Sequence, residues 1–228
     1  YIGAGSSGHY VKMVHNGIEY GIMQLLAEVY DLLHRGAGLS HAELADTFES
    51  WHQGELSSFL VEITAKILRK IDPKTNKPLV EMILDVARQK GTGKWTSQEA
   101  MDLQVPLLGI DAAVALRDLS AYHDERVQAS KLYSHHAAAL GEDRAAFVQR
   151  VRSATHASAL LTYAQGFAML RKATRTYNYG LDLASIAKIW RGGCIIRSKM
   201  LEMFRAAYTQ EPELANLLLS PWVAPELQ

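Results

Sequence analysis

Apolar residues recur at steps of three and four along most of the chain, the spacing of helices with one buried face rather than the alternation of strands. The first such run extends from Gly8 to about Leu33 and stops at His34-Arg35-Gly36-Ala37-Gly38, a glycine-rich helix end. Ser40-His41-Ala42-Glu43 has the form of a capping box, in which serine and glutamate side chains satisfy the free amides of a helix start. It predicts a helix to about Trp51, followed by another from Glu55 to Lys70. Asp72-Pro73-Lys74-Thr75-Asn76-Lys77-Pro78 is a turn-rich surface loop. Leu79 to Gln89 reads as a short helix, and Thr96-Ser97-Gln98-Glu99 again has capping-box form. Helices over about 109–120 and 121–131 follow Pro106.

The longest helix is predicted from Asp143 to about Thr176, with Phe147, Val151, Ala154, Ala157, Leu161, Ala164 and Ala168 as a seam whose alanines let neighbours approach closely. Asp182 starts a helix to Trp190, and Ser198 another to about Tyr208. The nearest approach to a strand, Leu107-Leu108-Gly109-Ile110, is too short to carry a sheet. The fold class is therefore all-α, a multi-helix domain over residues 1–228. A weak internal boundary falls near 134–142, where His135-His136 and Gly141 interrupt the pattern without linker composition.

Composition narrows the function classes. Across 228 residues, 24 basic and 24 acidic side chains cancel, so there is no global attraction to nucleic acid or to an anionic membrane. No apolar run reaches the roughly 20 residues needed to span a bilayer. The single cysteine, Cys194, excludes an internal disulfide framework and fits a reducing, cytoplasmic setting. The histidines lack ligand spacing on a shared face, so no metal site is expected. The chain opens Tyr1-Ile2-Gly3-Ala4-Gly5-Ser6-Ser7-Gly8, with neither an initiator methionine nor the features of a signal peptide. It reads as a piece of something longer.

The first helix carries an unusual face. At about 100° per residue, Lys12, His15, Asn16, Glu19 and Tyr20 fall within an arc of roughly 140°, opposite Val14, Ile18 and Leu25. A solvated polar face is the ordinary explanation of such a stripe. Gly17 and Gly21 count against it: each costs roughly 1 kcal/mol relative to alanine, which points to a neighbour packed close there. An amine, an imidazole, an amide, a carboxylate and a phenol together also suit a polyhydroxylated ligand.

The run Gly8-His9-Tyr10-Val11-Lys12-Met13-Val14-His15-Asn16-Gly17-Ile18-Glu19-Tyr20-Gly21 resembles the active-site helix of the decarboxylating 6-phosphogluconate dehydrogenases. The wider β-hydroxyacid dehydrogenase superfamily shares the glycine, lysine and asparagine, and His-Asn-Gly-Ile-Glu-Tyr narrows the match to the phosphogluconate branch. The resemblance implies that Lys12 is the general base and Glu19 the general acid. It implies that His15 and Asn16 bind substrate hydroxyls or the carboxylate, and that Tyr20 contacts the phosphate.

Two further segments agree. Lys90-Gly91-Thr92-Gly93-Lys94-Trp95-Thr96 fails the phosphate-loop pattern of nucleotide-binding proteins, because no glycine stands five residues before Gly93 and tryptophan follows Lys94. By residues alone it is a flexible basic turn. In the family this stretch holds the substrate phosphate, and the resemblance assigns that role to Lys90 and Thr92. It does the same for Arg117, which read alone is a solvated helix arginine. Arg126, in Asp124-Glu125-Arg126-Val127-Gln128-Ala129-Ser130, lies in another family-like stretch with no chemistry assigned. Ile189-Trp190-Arg191-Gly192-Gly193-Cys194-Ile195-Ile196-Arg197-Ser198 and Tyr163-Ala164-Gln165-Gly166-Phe167 also resemble the family. Gly192-Gly193 permits a tight turn, and Cys194 reads as a buried small residue rather than a nucleophile.

The resemblance implies an oxidoreductase of the pentose phosphate pathway and gluconate utilization. Its substrate is 6-phosphogluconate, its cofactor NADP, its assembly a homodimer, and its products ribulose 5-phosphate and carbon dioxide. No strand followed by Gly-x-Gly-x-x-Gly appears, so the nucleotide-binding domain is expected to be missing. The family's C-terminal tail also finds no counterpart, and the fragment alone is expected not to turn over. The alternatives are another β-hydroxyacid dehydrogenase and a non-catalytic helical dimerisation module.

Overall fold

A computed structural model describes residues 1–133, 140–141 and 143–228. Apart from 140 and 141, the boundary read near 134–142, with His135-His136, lies outside the described residues. The described residues form helices joined by short loops. They contain no strand, only two isolated bridges, Ser58 with Ser198 and Ile71 with Pro78. No helix among them is long and apolar enough to cross a membrane.

The first helix, α1 (Ser7–Asp31), runs into one wider π-helical turn, Leu32–Gly36. Its carbonyls are then closed by Ala37 and Leu39, whose N–H groups donate to Leu32 and Leu33. The helix α2 (His41–His52) starts on the expected capping box: Ser40 Oγ accepts from the Glu43 amide at 3.3 Å while the Glu43 carboxylate accepts from the Ser40 amide at 2.8 Å. The next helix, α3 (Phe59–Leu68), begins later than the expected Glu55. Residues 55–58 are drawn into a different partnership, with Lys199 N–H donating to Ser57 O and Phe59 N–H to Arg197 O.

Two expectations fail between residues 79 and 99. Only Leu79–Met82 turns, as a single 3-10 turn, and the rest of the predicted helix to Gln89 forms neither helix nor strand. Ile83 and Leu84, which made the apolar pattern, are exposed. Among the described residues, no backbone-to-backbone hydrogen bond holds 84–90; side chains of the following helices replace it. The second failure is the capping box at Thr96. The helix α4 (Thr92–Leu103) starts a turn earlier, after Gly91 at φ +106°, a left-handed conformation that a side chain would strain. Thr96 and Ser97 are buried inside the helix, and Thr96 Oγ donates instead to Met13 O of α1 at 3.0 Å and Thr92 O at 2.8 Å.

The helices α5 (Leu108–Ser120) and α6 (His123–Leu132) follow as expected. The 33-residue α7 (Arg144–Thr176) is capped by Asp143, and α8 (Leu183–Trp190) by Asp182. The last helix, α9 (Met200–Gln210), starts two residues after the expected Ser198, whose backbone is paired with Ser58. The alanine seam of α7 holds in part: Val151 and Ala164 are buried, but Ala154 and Leu161 are exposed, and the buried face also runs through Thr155, Ala159, Gly166 and Leu170.

That face meets α1, where glycines set the distance. A Cβ on Gly166 would stand 2.4 Å from Ile18 Cδ1, and one on Gly21 2.6 Å from Thr162 Cγ2. On the other side of α1, a Cβ on Gly17 would stand 2.6 Å from Thr96 Cγ2. Both α1 glycines thus have the close neighbour their cost implied. Behind this crossing the core is aromatic: Phe167 meets Trp190 at 5.4 Å and Phe204 at 5.9 Å between ring centroids. Burying each such side chain contributes about 1.5–3 kcal/mol, and their packing fixes α8 behind α1.

Candidate active site

The polar stripe of α1 becomes a connected set. His15 is 2 % exposed, with Trp190 edge-on to its ring at 5.8 Å. Its Nδ1 lies 3.2 Å from Lys12 Nζ, 3.0 Å from Asn16 Oδ1 and 3.9 Å from Glu19 Oε2. One imidazole nitrogen therefore stands between the amine and the carboxylate that sequence singled out. Its other nitrogen, Nε2, is buried without a partner among the described residues. Asn16 reaches off the helix, its Nδ2 donating to Thr92 Oγ1 at 3.1 Å.

Burial and charge set the protonation of these groups. Burial, followed by the charge of Lys12, pushes the His15 pKa down to about 4, against a smaller opposing effect of the hydrogen bond to Asn16. At neutral pH the ring is uncharged. Burial raises the Glu19 carboxyl above its ordinary range, although Lys12 and Arg117 both pull it down. Glu19 thereby holds a proton more readily than an exposed glutamate.

A second wall comes from three distant stretches. Tyr20, buried at the end of the α1 stripe, has the Arg117 guanidinium over its ring at 3.9 Å from the centroid. The start of α4 lies against the same ring: a Cβ on Gly93 would stand 2.4 Å from Tyr20 Cε2. Only a residue without a side chain lets Thr92 come this near. Arg117 is only partly exposed and donates to Arg88 O at 2.8 Å, so it is not the solvated arginine that it resembled when read alone. Lys90 is exposed, two residues before Thr92, and has no ion-pair partner among the described residues. The structure thus brings Lys12, His15, Asn16, Glu19, Tyr20, Thr92 and Arg117 into one network, with Lys90 at its margin.

Three contributors were not legible as such. Thr96 ties α4 to α1, and the signal was Gly17, a helix glycine that needed a facing partner. Trp190 backs His15 with no local signal at all. Arg126 belongs to the same neighbourhood through the irregular stretch before Lys90. Cys194 is half-buried rather than buried; its thiol donates to Trp190 O at 3.2 Å and burial raises its pKa, the opposite of an activated nucleophile. No group of three or more metal-ligating side chains occurs among the described residues.

The all-helical domain thus carries amine, imidazole and carboxyl on one face and a cationic, hydroxyl-bearing wall beside it. The family model for the 6-phosphogluconate dehydrogenase C-terminal domain matches residues 8–228, and the chain belongs to that family. A 6-phosphogluconate dehydrogenase, decarboxylating, from Synechococcus elongatus is 54% identical over 224 residues, covering 97% of this chain and 48% of the relative. One from Shigella flexneri is 53% identical over 222 residues, covering 97% of this chain and 47% of the relative. A solved Plasmodium falciparum 6-phosphogluconate dehydrogenase, determined apo, with its cofactor NADP+ and with its substrate 6-phosphogluconate, superposes with a TM-score of 0.96 at 40% identity. It covers 100% of this chain and 49% of that one. The chain spans about half the length of the curated relatives it matches.

Proposed function

We propose that this chain supplies the substrate-binding and acid–base half of an NADP-dependent 6-phosphogluconate dehydrogenase, which converts 6-phosphogluconate to ribulose 5-phosphate and carbon dioxide in the cytoplasm. The observation that carries the reading is the His15 nitrogen held between Lys12 and Glu19, with Arg117, Tyr20 and Thr92 gathered beside it. Lys12 and Glu19 both approach His15 Nδ1, so one acid bound against this face of the helix reaches the amine and the carboxyl together. In this reading Lys12, entering the step as the neutral amine, takes the proton from the C3 hydroxyl, then returns it to the C3 oxygen as the β-keto acid loses its carboxylate. Glu19, whose carboxyl burial keeps protonated more readily, delivers a proton to C1.

His15 and Asn16 hold hydroxyls or the carboxylate of the substrate, and the buried Nε2 without a partner supports a ligand contact there. Tyr20, Lys90, Thr92 and Arg117 hold the phosphate, a dianion matched by guanidinium, ammonium and hydroxyl donors. NADP accepts the hydride when bound. The described residues contain no strand and so no strand-to-glycine-turn cradle for its pyrophosphate. The remainder of the enzyme must bring it.

The homodimer is part of this proposal. Exposed apolar side chains on α3, α5 and α6 and in the irregular stretch, among them Ile67, Ile83, Leu84, Leu119 and Leu132, provide the surface for it. The test is NADPH and carbon dioxide release from the full-length enzyme with 6-phosphogluconate, beside its Lys12→Met variant. Both products from the parent and their collapse in the variant support the reading. A folded, inactive parent redirects it to another β-hydroxyacid or to the non-catalytic module. The 228-residue chain alone is expected to form no NADPH.

A further inference from the structure

The phosphate wall rests on a stretch of chain that does not hold itself. Residues 83–90 form neither helix nor strand, are exposed for the most part, and lack backbone-to-backbone hydrogen bonds over 84–90 among the described residues. Yet they end at Lys90, two residues before Thr92, and a side chain that grips a dianion has to be held to within a fraction of an ångström. What fixes the stretch is a row of side chains from α5 and α6. Ser120 Oγ accepts from Ala87 N–H at 2.8 Å, and Gln89 Nε2 donates to Asp118 Oδ1 at 2.6 Å.

Arg126 is the cross-bolt of that row. Its Nη1 donates to Asp85 Oδ2 at 2.7 Å, and its Nη2 to Asp85 O and Ser120 O, both at 3.0 Å. One planar fork thus joins the irregular stretch to the last turn of α5, the helix that carries Arg117 three residues before Ser120. Arg117 returns the connection by donating to Arg88 O. His123 Nε2, 3.5 Å from Asp85 Oδ1, adds a partner from the start of α6.

We infer that Arg126, assisted by Ser120, is a positioning residue that sets the spacing between Lys90 and Arg117 and so determines recognition of the substrate's phosphate. The inference rests on the proposed function, because it takes those two cations as phosphate ligands. Arg126 acts on the phosphate only through the stretch it holds.

The experiment compares kcat and KM of the full-length enzyme for 6-phosphogluconate and for unphosphorylated gluconate, in wild type and in Arg126→Ala, Arg126→Lys and Ser120→Ala. Arg126→Ala should raise KM for 6-phosphogluconate about tenfold with kcat held within about twofold, the signature of lost uniform binding. Its preference for the phosphorylated over the unphosphorylated substrate should fall by the same factor. Arg126→Lys keeps the charge but cannot span three acceptors, and should fall nearly as far. Ser120→Ala, which removes one half-buried hydroxyl and no charge, should lose about two- to threefold.

Full recovery in Arg126→Lys would reduce Arg126 to a background charge and overturn the inference, as would a wild-type KM in Arg126→Ala. If Arg126→Ala melts below the assay temperature, Ser120→Ala decides, and an unchanged preference there counts against it. A wild type that does not distinguish the phosphorylated acid from gluconate defeats the proposed function and the inference together. A wild type that does, with variants that match it, defeats the inference alone.

Discussion

The proposed acid–base face and the proposed phosphate wall are built in opposite ways. Lys12, His15, Asn16 and Glu19 come from eight consecutive residues of α1, and their spacing is that of any helix. Tyr20, Lys90, Thr92 and Arg117 come from three stretches separated by tens of residues, and their spacing depends on side-chain contacts between irregular chain and helix. One is set by local geometry and the other by tertiary contacts. Changes on the first should therefore strike the chemistry, and changes on the second the binding.

The largest effect expected is that of Lys12→Met in the full-length enzyme, a fall in kcat of about 10³-fold or more, read as NADPH formation at saturating substrate. Glu19→Gln should cost about 10²-fold in kcat and remove from the pH–rate profile the high-pH limb that ionisation of that carboxyl contributes. If either variant altered only KM, the division between the two regions would break. Gly93→Ala sharpens it from the other side. The new Cβ overlaps the Tyr20 ring, so the expected cost is about 1–3 kcal/mol of unfolding free energy, with KM rising ahead of any fall in kcat.

Acid should reach the α1 face in a graded way. The folded-state pKa of His15, about 4, lies below its unfolded value of 6.5. The unfolded chain therefore binds the extra proton first as pH falls. The contribution of His15 to stability is complete above about pH 6.5, declines between 6.5 and 4, and is gone below that window. Glu19, raised in the fold, works in the opposite direction below its folded pKa and offsets part of the loss. Thermal unfolding of the chain from pH 7 to 4, beside His15→Gln, should show a shallower acid slope in the variant; equal slopes would contradict the assignment. The smallest effect is that of Gly8→Ala, where nothing lies within 4 Å. It should stabilise the fold by about 0.4–1 kcal/mol, read as a slightly higher melting point.

The same contrast governs what the sequence disclosed. Ser40, Asp143 and Asp182 announce their helices because a cap is a contact between near neighbours. The stripe on α1 is legible by counting residues. Residues 79–89 are not, because their apolar residues suggest a helix while the partners of the Ala87 and Asp85 backbone stand on α5 and α6. Thr96 has the local form of a cap and is claimed by Met13 O across the α1–α4 crossing. The seam of α7 held only in part for a related reason: over residues 162–173 that helix is buried on nearly every side, which erases the one-sided period by which a face is found. Lys90, Thr92 and Arg117 could be placed together only by resemblance, and Arg126 had no meaning until its acceptors were seen.

The clamping of α1 between Thr96 on one flank and Gly166 on the other bears on what evolution can do with this segment. A single residue inserted anywhere from Met13 to Gly17 would turn everything after it by about 100°. Glu19 and Tyr20 would leave the face of Lys12, and Gly21 would leave Thr162, in the same step. Substitutions can be tried one at a time along this helix, but changes of length cannot.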